Sequence, residues 1–215
     1  MTIQLLEVRK GRIKTYGEGA GAWSSAIGKE PAAGPVQLDP LGLDGDQVGC
    51  PEVHGGLDQA VLAYASEHYP RWREEGFAAD PGAFGENLLL SGLTDQQACI
   101  GDIYALGEVL LQVSHPRQPC DTLARRFGRK DVVAQVWTHA RGGWYCRVLR
   151  PGPVAAGMDL ILKERPNPGA TVARVLTAYL DAAKAPAEAL AMAALPGLTR
   201  EWQVKLEKKA GGQTS

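Results

Sequence analysis

The 215-residue sequence has little of several things at once: no long hydrophobic run, no excess of either charge, few cysteines and few aromatic residues. No segment approaches the roughly 18 consecutive apolar residues that a membrane-spanning helix needs. Twenty-three basic against 24 acidic side chains leave a net charge of -1, without the basic excess that holds a phosphate backbone, which argues against nucleic acid as a partner. Aromatic residues are 7% of the chain, and no basic-aromatic stripe suggests single-strand binding. The four cysteines, Cys50, Cys99, Cys120 and Cys146, are too few and too scattered for a disulfide framework. No CxxC or HExxH spacing supports a structural zinc site, and no flavin, haem or iron–sulfur signature is present. Residues 1–10 alternate and carry charge early, reading as a strand and not a secretory signal. A cytoplasmic protein with reduced thiols is therefore expected.

What is present is an ordinary 45% hydrophobic content, enough for a core, with 26 glycines and 14 prolines to make tight turns. Residues 1 to about 170 read as β-rich. Strands are expected over 4–15 with an interruption at Gly11, over 35–38, over 102–107 and 108–114 about a turn at Gly107, over 143–149 and over 158–163. Short strands between Gly/Pro turns predict a closed or nearly closed barrel. Two helices interrupt it. Residues 58–75 place Val61, Leu62, Ala65 and Tyr69 at helical spacing, with a break or restart at Pro70, and residues 121–127 form a short helix with Asp121 as N-cap. After the Asn-Pro-Gly at 167–169, three helices are expected over 171–184, 186–194 and 198–209, the last capped by Thr199. The expected fold is mainly β, a barrel over residues 1–165, with a small all-α three-helix appendage over 170–215 packed on it.

Three constellations carry chemistry. In Ser114-His-Pro-Arg-Gln-Pro-Cys120 a strand ends, two prolines stiffen a loop, and a cysteine lands at the mouth of a helix. Unpaired helix N–H groups and the Arg117 cation favour a thiolate there, the state of a nucleophile or metal ligand. Cys50, Cys99 and Cys146 read as structural thiols. In Gly42-Leu-Asp-Gly-Asp46 followed by His54-Gly-Gly-Leu-Asp58, the paired Gly55 and Gly56 let backbone approach an anion, and His54 could donate a proton near neutral pH. The alternative is a turn shaped by glycines, its histidine bonded to a carbonyl. In Phe84-Gly-Glu-Asn-Leu88, Asn87 could bond either a loop or a ligand.

Taken in order, Ser25-Ala-Ile-Gly-Lys29 with Pro31, Gly42-Leu-Asp-Gly-Asp46, His54-Gly-Gly-Leu-Asp58, Phe84-Gly-Glu-Asn-Leu88 with Gly92-Leu93, Gly101-Asp102 and Pro116-Arg-Gln-Pro-Cys120 resemble the MOSC domain, named for the C-terminal part of molybdenum-cofactor sulfurases. The helical tail, and Glu67-His-Tyr69 with Trp72, resemble its YiiM-like branch, which carries a three-helix extension. The resemblance implies a β-barrel related to the pyruvate kinase barrel. It also implies a cysteine, here Cys120, that ligates molybdenum in amidoxime-reducing members or carries sulfur in sulfurases. On that footing the chain is expected to be an oxidoreductase that holds the molybdenum cofactor and reduces N-hydroxylated compounds such as hydroxylaminopurines and amidoximes. Cys120 is then the metal ligand, His54 the acid and Glu30 a weaker one. Lys29, Asp46, Gly55, Gly56, Asn87, His115, Arg117 and Gln118 are the cofactor-binding candidates. Electrons would come from a separate flavoprotein-type reductase, with no nucleic-acid or membrane partner. A persulfide carrier on Cys120 and a non-catalytic molybdopterin-binding module are the alternatives.

Overall fold

The computed structural model describes residues 2–49 and 55–212. Strand β1 (Ile3–Lys10) is followed by a hairpin of β2 (Lys14–Tyr16) and β3 (Trp23–Ser25), a short β4 (Glu30–Pro31), and the pair β5 (Val36–Asp39) and β6 (Gly42–Leu43). Next come β7 (Val61–Ala65), helix α1 (His68–Glu74), β8 (Leu88–Ser91), β9 (Ile103–Leu106) and β10 (Val109–Pro116). Helices α2 (Asp121–Phe127) and α3 (Asp131–His139) precede β11 (Trp144–Arg150), β12 (Gly152–Val154) and β13 (Asp159–Glu164). Helices α4 (Val172–Leu180), α5 (Pro186–Ala193) and α6 (Arg200–Ala210) follow.

Seven strands pair in the order β13–β9–β10–β11–β7–β8–β1, and β1 pairs again with β13 through Ile3 opposite Leu160. The barrel is therefore closed, which leaves its strands no unpaired edge. All neighbours run antiparallel except β7 and β8, whose crossover contains α1. The β9–β10 hairpin forms as its alternation predicts. Leu106 sits opposite Val109, and Gly107 takes the φ of +60° that the tight turn requires. At the start of β11, a Cβ on Gly143 would lie 2.4 Å from the Ala63 carbonyl oxygen, so only glycine lets β11 approach β7 this closely.

The expected helix over 58–75 is corrected. Residues Leu57–Gln59 form a 3-10 turn, Val61–Ala65 are strand β7, and only His68–Glu74 are helical. All five β7 side chains are buried, and a strand covered on both faces reads as an unbroken apolar run with no alternation to reveal it. Pro70 falls in the first turn of α1, where its missing N–H does no harm. Cys120, and not Asp121, takes the N-cap of α2. Helix α3, which the sequence pattern did not single out, buries Val132 and Val136.

The tail helices form as expected. The Thr171 and Thr199 side chains accept hydrogen bonds from the amides of Arg174 (3.1 Å) and Trp202 (3.4 Å). Their apolar faces, Val172, Val175, Leu176, Trp202 and Leu206, belong to the same core as Leu5, Leu106, Leu111 and Trp144 of the barrel. A second cluster around Tyr64, Trp72, Phe84 and Leu123 holds α1, α2 and α3 against the barrel wall. Among the described residues no helix is long and apolar enough to cross a membrane.

Candidate functional site

A cavity of about 190 Å³ collects side chains from distant parts of the chain. Its wall comes from β3 and the loop after it, the loop after β6, the start of β7, residues just before β8, the loop from β10 into α2, and β11. Leu43, Ala60, Leu62 and Phe84 make it partly apolar, while Lys29, Asp46, Asn87, Arg117, Cys120 and Tyr145 bring the polar chemistry.

Cys120 is half-buried, with extended backbone (φ -130°, ψ 171°) at the N-cap of α2. The helix is anchored by Leu123, which is fully buried. The Arg117 amide donates to the Gly143 carbonyl at 3.0 Å, which fixes the loop against the start of β11. The Arg117 side chain is buried, and its Nη1 has no hydrogen-bond partner among the described residues. Gln59 Oε1, on another part of the wall, is in the same condition. Buried polar atoms left without partners cost stability, which makes these two the candidate contacts for a polar ligand on this wall.

Lys29, Asp46 and Asn87 form a network. Lys29 and Asn87 both donate to Asp46 Oδ2, the second at 2.8 Å, and the Gly11 amide donates to Oδ1 at 2.7 Å. Asn87 also donates to the Arg9 carbonyl at 3.2 Å and accepts from the Leu62 amide at 3.1 Å. Burial pushes the Lys29 pKa down, and the Asp46 carboxylate opposes that shift. The network joins the ends of β1, β7 and β8 to the two loops that carry Lys29 and Asp46, and so fixes one side of the cavity.

Comparison with known proteins identifies the family and the fold. The family model of the MOSC domain matches residues 51–160. Over 171 residues the chain is 40% identical to the uncharacterized protein YflK of Bacillus subtilis (strain 168), which covers 78% of this chain and 76% of that one. The chain belongs to the MOSC domain family. The crystal structure of YiiM from Geobacillus stearothermophilus shares the fold of this MOSC chain with a TM-score of 0.81 and 32% identity, covering 97% of this chain and 99% of that one. A protein named Reductase from Gibberella moniliformis (strain M3125 / FGSC 7600) is 43% identical over 176 residues, which are 80% of this chain. The MOSC chain spans only 31% of that relative's length.

The MOSC barrel brings six of the expected residues to the cavity: Lys29, Asp46, Gly55, Asn87, Arg117 and Cys120. Others lie elsewhere. Glu30 sits on exposed β4 and pairs with Lys14 at 2.7 Å, which holds its carboxyl below the ordinary range, the opposite of what an acid needs. His115 is buried between the Tyr145 ring and Trp202 of α6 (centroids 5.1 and 6.3 Å), away from the cavity lining. Burial, with Lys205 and Arg147 nearby, pushes its pKa down to about 3. Gln118 is exposed and accepts from Lys205 Nζ at 2.8 Å. Gly56 caps the 3-10 turn and does not line the cavity. His54 and Cys50 lie outside the described residues. Cys99 and Cys146 are buried, the Cys146 thiol pushed up by burial to about 12 and so inert.

Two wall residues, Gln59 and Tyr145, carry no motif. The alternation of residues 143–149 places Tyr145 and Arg147 on one face of a strand, but it does not say what that face meets.

Proposed function

We propose that this MOSC chain is an oxidoreductase that holds the molybdenum cofactor in the described cavity, with Cys120 as the protein ligand of the metal, and that it reduces N-hydroxylated compounds to amines. The observation that carries the reading is the pairing, on one cavity wall, of the Cys120 thiol with a buried Arg117 nitrogen that has no partner among the described residues. A thiolate suits a soft metal, and a guanidinium suits a phosphate. Among the described residues no three His, Cys, Asp or Glu side chains converge as a metal cluster, so a metal here would bring most of its ligands with it. The residues present therefore fit the cofactor. The similarity to a protein named Reductase supports the same reaction class.

Bound there, the cofactor would supply two-electron redox chemistry. Cys120 would hold the metal, and Arg117 would neutralise the pterin phosphate. The Lys29–Asp46–Asn87 network would keep the facing wall rigid, and Leu62 and Phe84 would exclude water from one side of the site. The net conversion is R–NHOH plus two electrons and two protons to R–NH2 and water. The electrons would come from a separate protein of the reduced-flavoprotein class.

The test is metal content. Protein made in a host that assembles the cofactor should carry molybdenum, and Cys120→Ser and Arg117→Met should each lose most of it. Wild-type protein without molybdenum, but with cyanolysable sulfane sulfur on Cys120, would replace this reading with a persulfide carrier. Metal without turnover on any N-hydroxylated substrate would leave a binding module.

A further inference from the structure

We propose that Gln59 sets the substrate specificity of this cavity: its side-chain oxygen accepts a hydrogen bond from a substrate N–H group that neighbours the N–OH group to be reduced. The inference rests on the reductase reading above and deepens it by naming the substrates the cavity selects.

Among the described residues, four side chains with a carboxylate or amide oxygen line the cavity: Asp46, Gln47, Gln59 and Asn87. Three are committed. Asp46 accepts from the Gly11 amide, Lys29 and Asn87. Gln47 Oε1 accepts from the Ile13 amide at 2.8 Å, and Asn87 Oδ1 from the Leu62 amide at 3.1 Å. Gln59 Oε1 is buried and has no donor among the described residues.

The backbone that presents this oxygen is fixed. Gln59 ends the 3-10 turn, and its amide donates to the Gly56 carbonyl at 3.0 Å. Asp58, just before it, is fastened twice: its carbonyl accepts from Ser114 Oγ at 2.7 Å and its carboxylate from Arg147 Nε at 2.7 Å. Leu62, three residues on, lies opposite Tyr145 of β11, and both are cavity wall. An acceptor whose main chain is held in advance loses little freedom when a donor arrives.

The other buried polar atom of this wall without a partner, Arg117 Nη1, is a donor and cannot serve a ligand N–H. An amidoxime brings amino N–H groups next to the N–OH group, and so supplies what Gln59 Oε1 lacks. A substrate without the N–H would bury that oxygen unpaired, and this is how a site built on one hydrogen bond rejects an analogue that cannot make it.

The experiment uses benzamidoxime and N,N-dimethylbenzamidoxime, which share the N–O bond and differ in the amino N–H groups. Wild type and Gln59→Met, made in a molybdenum-competent host, are assayed with a reduced flavoprotein donor, and their metal content is measured. Wild type should prefer the parent compound. Gln59→Met should cut that preference, taken as a ratio of kcat/KM values, at least about fivefold while retaining molybdenum. The bulk of the two methyl groups is common to both proteins and cancels in this comparison. A second readout needs no cofactor. In protein from a host that cannot make it, Gln59→Met replaces a buried unpaired oxygen with an apolar group and should raise the urea midpoint. Metal-free wild type would defeat the reductase reading itself. With metal in wild type, a preference changed by less than about fivefold would overturn the proposal. A lowered urea midpoint would make the amide a structural group and overturn it as well. Loss of molybdenum from Gln59→Met would assign the amide to an N–H of the pterin, which also overturns it.

Discussion

Asp46 shows how much one carboxylate can hold together. It is largely but not fully buried, pairs with similarly enclosed Lys29 (side chains 11% and 9% exposed), and takes hydrogen bonds from Asn87 and the Gly11 amide. Removing one partner of such a pair leaves the other charge without compensation. Asp46→Leu should destabilise the protein by about 3–5 kcal/mol, read as a shift of the urea midpoint, and Lys29→Met in the same chain should recover part of that loss. His115 sets a pH dependence of known sign. Its folded pKa of about 3 lies below its ordinary 6.5, so the unfolded chain takes up a proton that the folded one refuses. Its contribution is complete above about pH 6.5 and is lost as pH falls toward 3, with a slope of up to about 1.4 kcal/mol per pH unit. His115→Phe should flatten the acid limb of stability relative to wild type between pH 6 and 4, measured by denaturant unfolding at each pH. An unchanged difference across that window would contradict a buried neutral imidazole.

Among the elements, the tail helices are tied to two walls of the cavity. Lys205 of α6 donates to Gln118 in the loop that leads to Cys120. Arg147 of β11 donates to the Gly197 carbonyl ahead of α6 (2.9 Å), to Gln112 (2.7 Å) and to Asp58 in the 3-10 turn (2.7 Å). Lys205→Met removes two surface contacts, to Gln118 and to Glu201 (2.6 Å), and should change global stability by less than about 1 kcal/mol. Amide exchange over residues 116–120 should nevertheless accelerate, because the loop loses its tether to α6. Arg147→Met removes three bonds that join separate elements and should cost about 2–3 kcal/mol in thermal unfolding.

For the whole molecule, the change from strands to helices near residue 170 is not a break in the core. Val175 and Trp202 are packed in one cluster with Leu106 and Trp144. A shared core makes unfolding cooperative. The full chain should show a single calorimetric transition whose van't Hoff and calorimetric enthalpies agree, and two resolved transitions would show that barrel and tail unfold independently. Ending the chain after Gly169 should yield insoluble or unfolded protein, since it strips cover from β10 and exposes apolar barrel surface.

Local rules in the sequence were enough for the β9–β10 hairpin, the three tail helices with Thr171 and Thr199 as caps, and the Pro-stiffened loop that ends at Cys120. Each depends on residues a few positions apart, through alternation, capping or turn chemistry. The ordered motifs also pointed to the family. Tertiary structure decided what depends on residues far apart. It made Val61–Ala65 a buried strand because neighbours cover both of its faces. It closed β1 onto β13, turned Asp46 and Asn87 into one network, set Glu30 and His115 away from the cavity and placed Tyr145 within it. Burial and long-range charge are properties of the assembled barrel. No window of sequence shows the burial that makes a histidine neutral, or an arginine nitrogen that has no partner among the described residues.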